Sequence, residues 1–281
     1  MSRPASLFLL LASVTTLIGA AAPRQEREPP FHLVSVGPNI WAAIDNPKAN
    51  PSSGANAGFV IGDDGVVVID TFADAAAASE LLREIRTRTN LPVKVVVNSH
   101  YHADHVAGNR VFMDAGAVVL AHRNVRDWIH TENVRMLTEA AGNQPVYQEL
   151  RARMEAFAPP SLVFDGSAAV YLGSREIRLR SFPGHTGGDV AVVIPDAKVM
   201  FTGDLFWRHS IPNTIDASTG PWIDTLNTMV HDEAGYSFVP GHGQVGTAQD
   251  VTAFRDYLRS SGSGCPRHNP GADRQTRSRN S

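Results

Sequence analysis

The first half of the chain alternates between short apolar runs and clusters of turn-forming residues, a pattern typical of β-strands. Two of these runs flank the sequence Gly62-Asp63-Asp64-Gly65, which predicts a hairpin turn. The spacing changes in Asp74–Thr89, where Leu81, Leu82 and Ile85 fall on one side and predict an amphipathic helix. We predict strands at Phe31–Val36, Ile40–Ile44, Gly58–Ile61, Val66–Asp70, Val93–Val97 and Ala117–Ala121.

The second half of the chain starts with a more charged segment. A helix is predicted to begin near Asp104, and Arg123–Ala158 is predicted to be mostly helical up to Pro159-Pro160. Shorter strands follow at Ala168–Leu172, Glu176–Ser181, Val190–Ile194, Val199–Thr202 and Phe238–Val239, with helices at Pro221–Val230 and Thr247–Arg259. Strands mixed with surface helices, several of them ending in polar clusters, predict an α/β sandwich with a site along one edge.

The two ends of the chain differ from this globular pattern. Residues 1–21 are predicted to be a signal peptide, because Arg3 precedes an apolar run at Leu7–Ala20 and small residues around Ala21 suit cleavage. The run is short for a transmembrane span, although an uncleaved anchor remains the alternative. The mature protein is then periplasmic or secreted, without stable membrane insertion. Residues 260–281 are polar and basic, and we predict a disordered tail there.

Composition narrows the classes of partner and the means of stabilisation. A formal net charge of −3 provides no bulk attraction for nucleic acid. Cys265 is the only cysteine, so an internal disulfide is excluded. The domain predicted between residues 31 and 259 must therefore hold its fold by core packing and by any metal that it binds. The oligomeric state is left open by these features.

One short motif concentrates metal-ligand chemistry. The predicted strand that ends at Val97 leads into His100-Tyr101-His102-Ala103-Asp104-His105. Imidazole and carboxylate groups are both zinc ligands. An extended His-x-His segment directs its two imidazoles to the same face, while Asp104 and His105 lie at a turn into a helix and point elsewhere. This one loop can therefore serve two metal positions.

Three further candidate ligands follow later strands. His185, Asp204 and His242 each come just after a predicted strand, and each has glycine neighbours that let the backbone bend sharply. Each alone is a weak indication, since a histidine in a glycine turn is more often part of a plain turn. Together with the first motif they provide seven donors, which is enough for two adjacent metal ions.

These residues, in this order, resemble the metallo-β-lactamase superfamily. The His-x-His-x-Asp-His motif is its most specific signature, and the resemblance extends over Phe31–Arg259. It implies an αββα sandwich of two mixed β-sheets flanked by helices, an α/β (α+β) fold, with two Zn²⁺ per chain at its edge. It also implies that Asp70 orients the ligand loop. By position, the first zinc falls to His100, His102 and His185, the second to Asp104, His105 and His242, and Asp204 bridges the two.

Asp204 separates this chain from many β-lactamases of the superfamily, which have cysteine or serine at that position. The aspartate is similar to that of glyoxalase II, lactonases and a periplasmic group named for sulfur oxidation and quinoprotein relay systems. The stretch from Gly203 to Pro212, followed by Trp222, is most similar to that last group. Some members of that neighbourhood carry the name β-lactamase, so lactam cleavage stays open.

The resulting functional prediction is an exported dinuclear-zinc hydrolase. A metal-bridging hydroxide would attack an ester, thioester, lactone or β-lactam bond of a small-molecule substrate, with Asp104 as the catalytic residue that orients the hydroxide. Two alternatives remain: an iron-dependent redox enzyme on the same fold, and a zinc-binding protein without catalysis. Seven donors shared by two metals leave room for a water, which favours catalysis over a closed structural site.

Residues outside the ligand set have competing interpretations. Trp207 and His209 follow the Asp204 loop and are candidates for the pocket wall. Arg208 is either a partner for a substrate carboxylate or a structural residue. The helical segment that carries Trp128, Met136 and Met154 is predicted to cover the site.

Overall fold

The structure is a computed structural model that describes residues 28–141 and 145–262. The predicted signal peptide and the part of the predicted tail after Gly262 lie outside the described residues. Across the two described ranges, none of the helices has the length and apolar character needed to span a membrane.

The first half of the chain forms a seven-stranded mixed sheet whose strands follow chain order. Strands β1 to β4 are antiparallel neighbours, and β4 to β7 are parallel. The predicted hairpin is confirmed, because its two strands pair through a turn in which Gly62 donates to the Gly65 carbonyl. The strands are β1 (Phe31–Gly37), β2 (Ile40–Asp45), β3 (Ala57–Ile61), β4 (Val66–Ile69), β5 (Val93–Val97), β6 (Val118–His122) and β7 (Leu162–Phe164).

The second half forms a five-stranded sheet, also mixed, in the order β12-β11-β10-β9-β8. The β11–β12 pair is parallel and the other pairs are antiparallel. Its strands are β8 (Ser167–Leu172), β9 (Arg175–Ser181), β10 (Val190–Ile194), β11 (Val199–Trp207) and β12 (Ser237–His242).

Helices cover the outer faces of both sheets. The predicted helix at Asp74–Thr89 is α1, which begins after Asp74; the carboxylate of that residue accepts hydrogen bonds from the Ala76 and Ala77 amides and caps the first turn. The helices are α1 (Ala75–Arg86), α2 (Ala103–Val106), α3 (Asn109–Asp114), α4 (Arg123–Trp128), α5 (Thr131–Ala141), α6 (Pro145–Glu155), α7 (Thr219–Asp232) and α8 (Ala248–Gly262).

Alternation along the strands builds a four-layered core. In β4, Val66 and Val68 pack towards α1 and α3, whereas Val67 and Ile69 pack between the sheets. In β10, Val192 faces the layer between the sheets and its neighbours face α7 and α8. The fold is therefore the αββα sandwich of two mixed sheets that the resemblance implied.

Three details differ from the predicted elements. Strand β7 was not predicted, because it has only three residues and lies at a sheet edge where Leu162 is half exposed. Strands β11 and β12 run past Gly203 and Gly241, so Asp204 lies within a strand and His242 ends one. Helix α8 continues to Gly262, past the predicted start of the tail.

Candidate metal centre

All seven predicted ligands meet at one edge of the sandwich. The donor atoms of His100, His102, His185 and Asp204 lie within 4.8 Å of one another. The donor atoms of Asp104, His105 and His242 form a second group of the same compactness. The segment after β5, which includes α2, supplies four donors, and the second sheet and its loops supply three.

Asp204 stands between the two groups and directs one oxygen towards each. Its Oδ2 lies 3.2 Å from His185 Nε2 and 3.7 Å from His100 Nε2. Its Oδ1 lies 3.2 Å from His105 Nε2 and 3.4 Å from His242 Nε2. This is the arrangement expected of a carboxylate that bridges two metal ions.

The second group has an open side. Asp104 Oδ2 lies 3.4 Å from His242 Nε2 and 3.8 Å from His105 Nε2. The Asp104 side chain is 33% exposed, whereas that of Asp204 is 2% exposed. A molecule entering from solvent therefore meets Asp104 before it meets the bridging position.

Asp70 orients the ligand loop, as the resemblance implied. Its carboxylate accepts hydrogen bonds from the Ser99 amide and hydroxyl, each at 2.7 Å, and from His105 Nδ1 at 2.8 Å. Because the Ser99 hydroxyl donates to Asp70, it accepts from His100 Nδ1 at 3.1 Å. Both imidazoles then carry their proton on Nδ1 and keep the Nε2 lone pair for the centre.

The atoms that face the centre fit a metal ion. His100 Nε2, His105 Nε2, His242 Nε2 and Asp204 Oδ1 are buried and have no hydrogen bond of good geometry within the described residues. Buried polar atoms rarely remain unpaired in a folded protein, and cations would satisfy all four. Five imidazoles and two carboxylates suit zinc, and imidazole also suits iron.

The electrostatics of the protein alone show how strongly these groups interact. Burial by itself would raise the pKa of Asp204, but His242, His105 and the neighbouring imidazoles hold that pKa well below its usual range. Burial opposes protonation of His242, yet Asp204 and Asp104 raise the pKa of this imidazole to about 9. The two carboxylates thus supply the negative charge that cations would neutralise.

Two glycines make room for Asp204. Gly203 has a φ of 51°, and a Cβ there would lie 2.5 Å from the Ser99 side chain. A Cβ on Gly241 would lie 1.8 Å from Asp204 Oδ1. The two positions require glycine because β11 brings its backbone against Ser99 and β12 brings its backbone against Asp204.

Asp216 is a site residue that the sequence analysis missed. It accepts a hydrogen bond from Tyr101 Oη at 2.9 Å, lies 3.4 Å from His102 Nε2 and pairs with Arg135. His102 therefore presents Nδ1 to the centre, where this atom lies 3.0 Å from His185 Nε2. Burial raises the pKa of Asp216, but hydrogen bonds from His102 and Tyr101 outweigh it and bring the pKa to about 2.

Trp207 forms part of the wall of the centre. Its ring stacks on His242, with ring centroids 4.0 Å apart and 22° between the planes, and lies 6.1 Å from the His185 ring. Arg208 has the structural role, since its guanidinium bonds Asp250 at 3.1 Å and the Val245 carbonyl at 2.7 Å. His209 is exposed and lines a cavity beside Trp207.

The predicted helical cover packs beside the ligand loop. Trp128 and Met136 pack against a small apolar cluster that includes Tyr101, and the Trp128 and Tyr101 rings meet edge to face at 6.0 Å. Trp128 also lines a cavity of about 600 Å³ on the flank of the His185 loop.

The sequence of the chain is similar to those of known hydrolases. The sequence model of the metallo-β-lactamase superfamily matches residues 52–242. The chain is similar to acyl-coenzyme A thioesterase MBLAC2 of Bos taurus, with 26% identity over 56% of this chain and 60% of the relative. It is also similar to hydroxyacylglutathione hydrolase GloC of Haemophilus influenzae, with 26% identity over 69% of this chain and 87% of the relative. The chain thus spans about 60% of the length of the thioesterase.

Solved structures share the fold. A metallo-β-lactamase from Pontibacter korlensis superposes with a TM-score of 0.65 and 20% identity, covering 82% of this chain and 99% of that protein. The DIM-1 metallo-β-lactamase gives the same TM-score at 18% identity, covering 84% of this chain and all of that protein. At these identities the comparison concerns architecture alone.

Proposed function

This chain belongs to the metallo-β-lactamase superfamily, and from that premise we propose that it is a dinuclear zinc hydrolase that cleaves an acyl bond in a small molecule. The observation that carries the proposal is the position of Asp204, whose two oxygens each face one group of ligands. A single structural zinc site has four donors around one ion and no such shared carboxylate.

The bond proposed for cleavage is a thioester or ester first, with a lactone or β-lactam after it. The two relatives described above are named as an acyl-coenzyme A thioesterase and a hydroxyacylglutathione hydrolase, and both names denote cleavage of an acyl–sulfur bond. Asp204 supports placing the β-lactam last, because the chain has this aspartate where many β-lactamases of the superfamily have cysteine or serine.

Three aspartates in and beside the centre have distinct roles in this proposal. Two bound zinc ions would supply a water of lowered pKa and a Lewis acid for the substrate carbonyl. Asp104 lies on the open side, where it would accept a hydrogen bond from that water and orient the water's lone pair towards the carbonyl carbon. Asp70 and Asp216 hold the imidazoles of His105 and His102 in place from behind.

The amino-terminal segment completes the proposal. Residues 1–21 would direct export, and the hydrolase would act in the periplasm or outside the cell. Mass spectrometry of the protein recovered from its host checks this point, since a mature chain that retains Met1 would contradict cleavage.

The variant Asp204→Asn tests the metal centre directly. We expect metal content, measured by plasma mass spectrometry after dialysis, to fall from two ions per chain to at most one, together with loss of hydrolysis. The control is Asp224→Asn on the exposed face of α7, which should keep both ions. Full metal content in the Asp204 variant would show that the bridging assignment is wrong.

Substrate and metal identity are tested on the same preparation. A panel of an acyl thioester, a lactone and nitrocefin, assayed with and without a chelator, should show chelator-sensitive hydrolysis, with the thioester cleaved fastest. Iron with oxygen consumption would contradict the hydrolase proposal in favour of a redox enzyme. Full zinc content without turnover of any member of the panel would indicate a binding protein.

A further inference from the structure

A second feature beside the metal centre is a groove between the segment after β11 and helix α8. Its cavity is about 320 Å³, which falls within the roughly 300–1,000 Å³ of small-molecule sites. The apolar part of its wall comes from Trp207, Ile211, Phe254 and Tyr257. We call this feature the Trp207 groove.

The Trp207 groove exposes apolar surface that a folded protein usually buries. Ile211 is 82% exposed and Tyr257 is 44% exposed, and both line the same cavity. Single exposed apolar residues are common, but a concave surface that collects several of them is typical of a ligand site.

One indole ring, that of Trp207, separates the groove from the metal centre. Trp207 lines the groove, and the same indole stacks on the candidate ligand His242 at a centroid distance of 4.0 Å. A group bound in the groove therefore lies one aromatic ring away from the imidazole.

Charge in the groove indicates the class of ligand. The one guanidinium in its wall, that of Arg208, is already engaged by Asp250 and the Val245 carbonyl. The groove therefore has no arginine free to pair with a phosphate or carboxylate among the residues that line it. The wall also contains His209, Ser210 and the Asp250 carboxylate that pairs with Arg208. An apolar chain or ring fits the part of the wall formed by Trp207, Ile211, Phe254 and Tyr257.

We propose that the Trp207 groove binds the apolar acyl chain or aryl group of the substrate, with the Trp207 indole between that group and His242. The inference rests on the proposed hydrolase function and narrows its substrate to acyl derivatives with a sizeable apolar arm. Burial of each further methylene should then raise kcat/KM by about three- to fourfold until the groove is filled.

A series of acyl thioesters with two, four, six and eight acyl carbons tests the proposal on the full-length zinc-loaded protein. For the wild type, kcat/KM should rise with chain length. The ratio between the eight-carbon and two-carbon substrates should fall at least tenfold in Ile211→Ser and in Tyr257→Ser. The matched control is Tyr171→Ser, which changes another exposed tyrosine, on β8, and should leave the ratio unchanged. A ratio that does not depend on chain length, or that survives both groove variants, would overturn the proposal while leaving the hydrolase function standing.

A binding measurement separates the groove from catalysis. Titration with octanoate should change the tryptophan fluorescence of the wild type, and Trp207→Phe should remove that change while the other three tryptophans still report on folding. Trp207-dependent binding without hydrolysis of any thioester would contradict the proposed function but support the groove. A fluorescence signal that does not change with octanoate would show that the groove does not bind an acyl chain.

Light scattering tests whether the groove is instead a contact between copies of the chain. If the wild type is a dimer and Ile211→Ser converts it to a monomer, the groove is such a contact and the proposal is wrong.

Discussion

His102 differs from the other histidines of its loop in the partner that holds it. Its Nε2 faces Asp216, whereas the Nδ1 atoms of His100 and His105 are fixed through Ser99 and Asp70. A carboxylate behind a metal-binding imidazole fixes its tautomer and raises its basicity. Asp216 is therefore a positioning residue for the first group of ligands.

We expect Asp216→Asn to weaken zinc binding by about 10- to 100-fold while leaving the fold intact. Competition with a chromophoric chelator measures the affinity, and circular dichroism measures the fold. Asp196→Asn, which removes an exposed carboxylate paired with Arg175, is the control and should not change the affinity. Equal zinc affinity in the Asp216 variant would show that the His102 contact has no influence on the metal.

Proton release on metal binding follows from the state of His242 in the metal-free protein. With a pKa of about 9, this imidazole is protonated at pH 7, and a metal ligand must be neutral. Binding must therefore expel a proton at pH 7, and the apparent affinity should rise with pH until about pH 9. Calorimetry at pH 7 in buffers of different ionisation enthalpy measures the protons released. An enthalpy that is independent of the buffer would contradict this expectation.

At the scale of elements, the helices and strands that could be predicted are those whose sequence signals lie within a few residues of each other. Helix α1 is such a case, because Asp74 caps it and its apolar residues share one face.

We expect Asp74→Ala to lower the free energy of unfolding by about 1 kcal/mol in a urea titration. Asp114→Ala, at the exposed end of α3, should change it by less than about 0.5 kcal/mol. Equal effects of the two substitutions on the free energy of unfolding would show that Asp74 does not stabilise the protein by capping α1.

Other elements depend on partners far along the chain, and these were predicted less well. Glycines at 203 and 241 resemble strand breaks, yet β11 and β12 continue through both because the sheet needs backbone without side chains beside Asp204. Asp216 shows no ligand-like pattern in its own loop, since Tyr101, the residue that reveals its role, is 115 positions away. The ligands themselves were predictable because their spacing and residue types are local.

At the scale of the whole molecule, the metal centre joins the two sheets. Four of its donors belong to the segment after β5 that includes α2, and the other three belong to the half of the chain that builds the second sheet. Ions bound there stabilise the arrangement of both halves, since the unfolded chain has no assembled site. The contribution is about 2.7 kcal/mol when free metal exceeds the dissociation constant 100-fold.

Removal of metal by a chelator should therefore lower the thermal unfolding temperature of the wild type by several degrees, since about 1 kcal/mol corresponds to roughly 2–4 °C for a domain of this size. Scanning calorimetry measures the shift. Asp204→Asn serves as the internal control, because a centre without its bridging carboxylate should gain much less stability from metal. If the chelator does not change the unfolding temperature of the wild type, the two halves are held together by core packing alone.

The positions of the ligands along the chain also determine when during synthesis each group of ligands becomes complete. The donors of the first group are all present once Asp204 has been synthesised, but the second group is incomplete until His242 emerges and β12 joins the edge of its sheet. A growing chain therefore has no complete set of ligands until His242 has been synthesised. The ions available where the chain completes its folding, rather than where it is made, then decide which metal it carries. The same protein produced with and without residues 1–21 should reveal this in its metal content.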